Sequence, residues 1–178
     1  MQENPETLNT QAIELASQGD YPEAIACFKR AIAIERENYL LWFNMGVTYR
    51  DLGDLEGAKQ ALLQANAINP DDEEVMETLA LIYFSLGQTE LALDTCIDTL
   101  DINPNNAHIW NTIGVLHFSK SNYQEACTSF EKAVTLYPHY YDALYNLRDT
   151  YTELGNKQGA LECNDRLKKL TAPGAYYA

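Results

Sequence analysis

Residues 42–70 read Trp42-Phe-Asn-Met45-Gly46-Val-Thr-Tyr49-Arg-Asp-Leu52-Gly53-Asp54-Leu-Glu-Gly-Ala58-Lys-Gln-Ala-Leu62-Leu-Gln-Ala65-Asn-Ala-Ile-Asn69-Pro70. Trp42, Met45, Gly46 and Tyr49 recur at helical spacing and so share one face. Leu52-Gly53-Asp54 then breaks the pattern. Gly53 can take the left-handed geometry that ends a helix, and Asp54 can cap the next one. That second helix carries Ala58, Leu62 and Ala65 on its buried side. Asn69-Pro70-Asp71-Asp72 closes the stretch, because proline cannot continue a helix and Asp72 can cap whatever follows. The stretch is a helical hairpin.

The hairpin recurs. Pro70, Pro104 and Pro138 stand 34 residues apart, and so do Ala24, Ala58, Ala92, Ala126 and Ala160. A stack of similar units repeats its packing positions at the unit length, whereas nothing makes a single compact core count in this way. Small residues recur for a packing reason. Gly46, Ala80 and Gly114 let the two helices of a unit approach, and Ala58, Ala92 and Ala126 meet them from the other side. A solenoid places function on a surface rather than in a catalytic pocket.

The order of an aromatic, an apolar-Gly pair, a Tyr, an Ala-x3-Phe and a closing Pro resembles the tetratricopeptide repeat. The second unit carries it as quoted, and the fourth as Trp110, Ile113, Gly114, Ala126, Phe130, Ala133 and Pro138, with His117 where Tyr is usual. The third has Met76, Leu79, Ala80, Tyr83, Ala92, Cys96 and Pro104. The fifth has Leu144, Leu147, Tyr151, Gly155 and Ala160, but Arg148 replaces the small residue and Asn164 the aromatic. The first has Leu8, Ala12, Leu15, Gly19, Ala24, Phe28 and Ala31, with Arg36 in the place of proline. The resemblance runs from Pro5 to about Gly174. It implies an all-α fold, a right-handed superhelical solenoid of helix-turn-helix repeats. The expected organisation is a single array over 1–174, with repeats at about 5–38, 39–72, 73–106, 107–140 and 141–174, and a short tail at 175–178.

A chain of 178 residues suits one such array, and 46% hydrophobic content argues against disorder. No apolar run approaches the ~20 residues that cross a bilayer. Met1-Gln-Glu-Asn-Pro-Glu6 lacks the basic start and apolar stretch of a secretory signal, so a cytoplasmic location is expected. Cys27, Cys96, Cys127 and Cys163 form no C-x-x-C pair and read as small buried thiols, not as a zinc site or disulfide framework. Net charge is −14, and between Gln60 and Ser119 nine carboxylates occur without a single Lys or Arg. Such a field repels nucleic acid and anionic lipid. Two readings of the charge stay open: solubility alone, or a basic partner.

The first helix of each unit packs through its motif residues, which leaves a stripe at i, i+3, i+7 and i+10. The family resemblance implies that this stripe lines a concave, protein-binding surface. Unit two offers Leu40, Phe43, Val47 and Arg50, and unit three Glu74, Glu77, Leu81 and Phe84. Unit four offers His108, Asn111, Val115 and Phe118. Unit five offers Asp142, Tyr145, Asp149 and Thr152, and unit one Glu6, Asn9, Ile13 and Ala16. The apolar members would make a track edged by carboxylates, fitting a protein or peptide with apolar anchors and basic residues. Phe84 and Phe118 can instead tuck between neighbouring helices, whereas Phe43 and Tyr145 are the better groove candidates.

Chaperone-binding members of the family hold a C-terminal carboxylate with Lys and Asn side chains. Asn44 fits that pattern, but Asn9, Ile13, Glu74 and Thr78 stand where its other residues belong, so that clamp is not expected. His108, His117 and His139 lie on different elements with no nucleophile motif, and no phosphate loop or metal-ligand spacing occurs. No enzyme activity, cofactor or metal is expected, and His117 reads as a buried core imidazole. Tyr137, His139, Tyr140 and Tyr141 cluster between units four and five, either as packing or as an interface. At the end of the chain, Leu161, Leu167 and Leu170 would form an uncovered edge, closed by the tail Ala172–Ala178 or by another subunit. The expected function is a non-catalytic interaction module, a peptide or helix adaptor. The alternative is a self-assembling homo-oligomeric scaffold joined through the terminal repeats.

Overall fold

A computed structural model describes residues 4–171, and the tail Ala172–Ala178 lies outside them. Ten helices fill the described residues, with no strand among them: α1 (Pro5–Gln18), α2 (Tyr21–Ile34), α3 (Tyr39–Leu52), α4 (Leu55–Ile68), α5 (Glu73–Ser85), α6 (Thr89–Ile102), α7 (Ala107–Ser119), α8 (Tyr123–Leu136), α9 (Tyr141–Glu153) and α10 (Lys157–Thr171). Two compact units, divided between Thr95 and Cys96, make up the chain.

The turns repeat as faithfully as the helices. Inside each hairpin the N–H of Asp20, Asp54, Gln88, Asn122 or Asn156 donates to the carbonyl of Leu15, Tyr49, Tyr83, His117 or Tyr151, at 2.8–3.0 Å. This six-to-one bond closes a helix over a left-handed residue, supplied at Gly53 with φ 89°. Asp54 accepts from the N–H of Gly57 at 2.9 Å, and Asp72 from those of Glu74 and Val75 at 3.1 Å, so both expected caps form. Two of the junctions between hairpins are pinned by tryptophan. Trp42 Nε1 donates to the carbonyl of Arg36, and Trp110 Nε1 to that of Pro104, both at 2.9 Å. A carbonyl is all the bond needs, which explains why Arg36 serves where proline is usual. Both indoles are therefore only half-buried.

In the first unit α1 packs on α2, α3 on α4, and α2 and α4 each on the next odd-numbered helix. Leu8, Ala12, Ala24, Phe28, Ala31, Leu41 and Met45 form one core cluster, and Ala58, Leu62, Leu79 and Ile82 another. In the second unit α7 packs on α8, α8 on α9, and α9 on α10. Its core gathers Phe130, Ala133, Leu144, Leu147, Cys163 and Leu167. Close approach depends on the small residues: a Cβ at position 46 would lie 2.8 Å from Leu62 Cγ, and one at position 114 would lie 2.5 Å from Phe130 Cε1. All four cysteines are buried free thiols. The expected uncovered edge at the C-terminal helix shrinks to Leu161, since Leu167 is buried in the core and Leu170 is half-buried against it. Leu167 sits four residues after Cys163 and shares its inward face.

Candidate functional site

In the first unit the stripe divides by depth. Leu40 is 50% exposed and Leu81 39%, while Phe43, Val47 and Phe84 are half-buried. Phe43 packs against the cluster of Ala58, Leu62, Leu79 and Ile82, so part of its ring belongs to the core. Ile13 on α1 is exposed alongside Leu40 and Leu81. Arg50 turns to its neighbour Asp51, with Nε at 3.0 Å and Nη2 at 2.9 Å from Oδ1. Glu74 is exposed and Glu77 half-buried. Asn44, the one residue that fits the chaperone clamp, donates from Nδ2 to Asn9 Oδ1 at 3.1 Å, and Thr78 donates to the carbonyl of Glu74 at 2.8 Å. A hydrogen bond to Asp72, with burial second, pushes the Tyr39 phenol up.

The same asparagine bond recurs in the second unit, where Asn146 Nδ2 donates to Asn111 Oδ1 at 3.0 Å. The donor lies 35 residues after its acceptor in both cases, an offset the 34-residue reading passes over. Val115 and Phe118 are half-buried against the α8–α9 core, and Phe118 meets Tyr123 edge-on at 5.2 Å. Exposed His108 packs on Tyr140, ring centroids 4.7 Å apart. Asp142 is exposed, and Tyr145 is 43% exposed. Tyr145 stacks on Tyr141, with centroids at 6.5 Å. Arg148 Cζ lies 4.0 Å from the Tyr145 ring centroid, and Nε and Nη2 both donate to Asp149 Oδ1, at 2.9 and 2.7 Å. That bond to Asp149 raises the guanidinium's affinity for its proton. Sequence reasoning saw Arg148 only as a departure from a small residue and missed the stack it makes.

His117 is half-buried, not fully buried as expected of a residue in the core tyrosine position. Below the surface, burial pushes the Cys127 thiol up to about 12, helped by Glu131, whose Oε1 lies 3.5 Å from Sγ. The same carboxylate accepts from the Tyr151 hydroxyl at 2.7 Å, and burial raises that phenol too. A thiol held protonated in this way is a packing group, not a nucleophile. Among the described residues no cluster of metal ligands occurs, and no helix is long and apolar enough to cross a membrane.

The family model described as tetratricopeptide repeat matches residues 15–77, 51–116 and 117–178. The chain belongs to the tetratricopeptide repeat family. Solved tetratricopeptide repeat structures share its fold at low identity. MamA aligns with a TM-score of 0.80 and 19% identity, covering 93% of this chain and 97% of that chain. The thermophilic repeat protein TTC0263 of Thermus thermophilus gives 0.76 and 19%, covering 94% and 92%. YrrB, a repeat protein with an unusual peptide-binding site, gives 0.68 and 21%, covering 92% and 84%. No curated protein sequence matches the chain significantly.

Proposed function

We propose that this tetratricopeptide repeat chain is a non-catalytic protein-interaction module that binds an extended peptide or a helix on the odd-helix face of each unit. The observation that carries the reading is the large apolar side chains left exposed on these helices, Ile13, Leu40 and Leu81 in the first unit and Tyr145 in the second. Helices that already bury their motif faces gain nothing in isolation from such residues, and exposed apolar surface is what a partner can bury. Glu74 and Asp142, exposed on the same helices, favour a partner with basic residues beside its apolar anchors. The anchors on offer are Leu40, Leu81 and Tyr145, with Phe43, Val47, Phe84, Val115 and Phe118 contributing edges.

The test is an affinity capture from source-cell lysate with wild type and with the Leu40→Ser, Leu81→Ser, Tyr145→Ser variant as baits. Phe43 is left intact because its packing would confound folding with binding. A partner captured by wild type and lost by a variant with an unchanged melting temperature is the expected result. Retention of that partner by the folded variant sinks the reading. A second reading, a self-assembling scaffold, draws on the exposure of Leu161 on the C-terminal helix. It is favoured if both baits recover only the chain itself.

A further inference from the structure

The N-terminal half of α9 and the turn before it form an aromatic surface in the second unit. Tyr137, Tyr141 and Tyr145 are all exposed. They belong to two stacked pairs, Tyr137 on Tyr140 at 5.8 Å and Tyr141 on Tyr145 at 6.5 Å, each with an interplanar angle of 28°. This surface already holds one guanidinium. Arg148 lies close enough on Tyr145 to bring Cζ within 4.0 Å of the ring centroid, while Asp149 takes its N–H donors. A tyrosine face and a carboxylate together are the parts of that arrangement: the ring quadrupole attracts the cation, and the carboxylate satisfies the planar donors.

Nearer the start of the helix the same two kinds of group occur again, now at adjacent positions. Tyr141 presents its exposed ring, and Asp142 presents an exposed carboxylate with no ion pair among the described residues. Positions 141 and 145 are four apart and 142 and 145 three apart, so Tyr145 neighbours both, while Tyr141 and Asp142, adjacent in sequence, splay apart by about 100° and leave the space between them to an incoming side chain. No arginine of α9 stands at the spacing that would serve Tyr141 as Arg148 serves Tyr145. We propose that the Tyr141–Asp142–Tyr145 surface binds an arginine side chain of a basic peptide, its guanidinium stacked on Tyr141 and donating to Asp142. Arginine fits better than lysine because the guanidinium is planar, weakly hydrated and able to stack and donate at once, whereas an ammonium is a compact, strongly hydrated charge. The chain's net charge of −14 complements such a peptide and speeds its arrival. The assignment rests on the odd-helix binding face described above and names the side chain that its second unit takes.

The experiment uses the full chain and three fluorescein-labelled peptides, Gly-Ser-Arg repeated three times and its lysine and citrulline counterparts, read by fluorescence anisotropy at low salt. The arginine peptide is expected to bind at least about fivefold tighter than the lysine one, with the citrulline peptide weakest. Tyr141→Leu keeps the apolar area but removes the π face, so it should bring the arginine-to-lysine ratio to about one. Asp142→Asn should weaken arginine binding about threefold or more. Both residues are exposed, so unchanged melting temperatures are expected. The tyrosine ring NMR signals of the unmutated chain give an independent readout, with Tyr141 and Tyr145 shifting on titration. Equal affinity for arginine and lysine, or a ratio that survives Tyr141→Leu, overturns the assignment. If that result accompanies a lysate partner lost by the Leu40, Leu81 and Tyr145 variant, the arginine assignment falls and the binding-face reading stands. Selectivity lost in Tyr141→Leu, with the lysate partner kept by the three-site variant, supports the arginine assignment and removes the wider reading.

Discussion

The α7–α8 and α9–α10 hairpins occupy the same register and settle the same contact in opposite ways. In the first, Gly114 makes room for Phe130, which is 1% exposed. In the second, 34 residues on, Arg148 replaces the glycine and Asn164 the phenylalanine. The two changes compensate: once the large ring is gone, its opposite position no longer has to lack a side chain. Arg148 reaches outward, where it stacks on Tyr145 and bonds to Asp149. Interhelical fit is thus a property of the pair, not of either position.

The difference is sharpest in stability. Phe130→Ala should cost about 3–5 kcal/mol, as expected for emptying a fully buried aromatic site. Gly114→Ala should cost about 1–3 kcal/mol, because its new methyl group meets the Phe130 ring. Arg148→Ala and Asn164→Ala, both half-buried, should each stay within about 1 kcal/mol. Urea denaturation of the four variants decides the matter. Equal losses in both hairpins would mean that the exchange at Arg148 and Asn164 is not a compensation.

Much of this was legible in the chain. The hairpins, their caps at Asp54 and Asp72, and the close approach at Gly46 and Gly114 follow from residue types whose backbone or size leaves little choice. The surface was harder to read, because a stripe at i, i+3 and i+7 states direction but not depth. Phe43 lies on the expected stripe yet is drawn in by Leu62, Leu79 and Ile82, contacts that come from α4 and α5. Leu167 shows the same error carried further: as part of an expected open edge it should be exposed, and the α9–α10 core buries it. The Arg148 stack was invisible because it depends on one rotamer reaching across i, i−3, which no periodicity records.

Alkaline pH offers a smaller perturbation at the seam between the two hairpins. Glu131 of α8 faces both Cys127 of its own helix and Tyr151 of α9. The folded Cys127 thiol is raised above its ordinary value of 9, to about 12, so the neutral thiol is what the fold favours. Its contribution is complete below pH 9 and is lost as pH climbs from 9 towards 12. The melting temperature should therefore fall by a few degrees between about pH 8.5 and about pH 10.5 in wild type, and by less in Cys127→Ala. Parallel curves for the two proteins would show that Cys127 carries none of the alkaline sensitivity.

The smallest expected effect lies in the turns that close the same two hairpins. Ser121 ends α7 with φ 61°, and Gly155 ends α9 with φ 72°. A side chain in left-handed geometry brings Cβ against the backbone, a strain that glycine does not have. Nothing lies within 4 Å of where a Cβ at position 155 would sit, so a substitution there tests backbone geometry without a packing term. Ser121→Gly should then stabilise the chain by about 0.5–1 kcal/mol, and Gly155→Ser should destabilise it by a similar amount. Because one change removes the strain and the other introduces it, opposite shifts in the urea midpoint at unchanged slope are expected. Shifts of the same sign would show that the α7–α8 turn draws stability from the Ser121 side chain itself, and the two hairpins would then differ in their turns as well as in their cores.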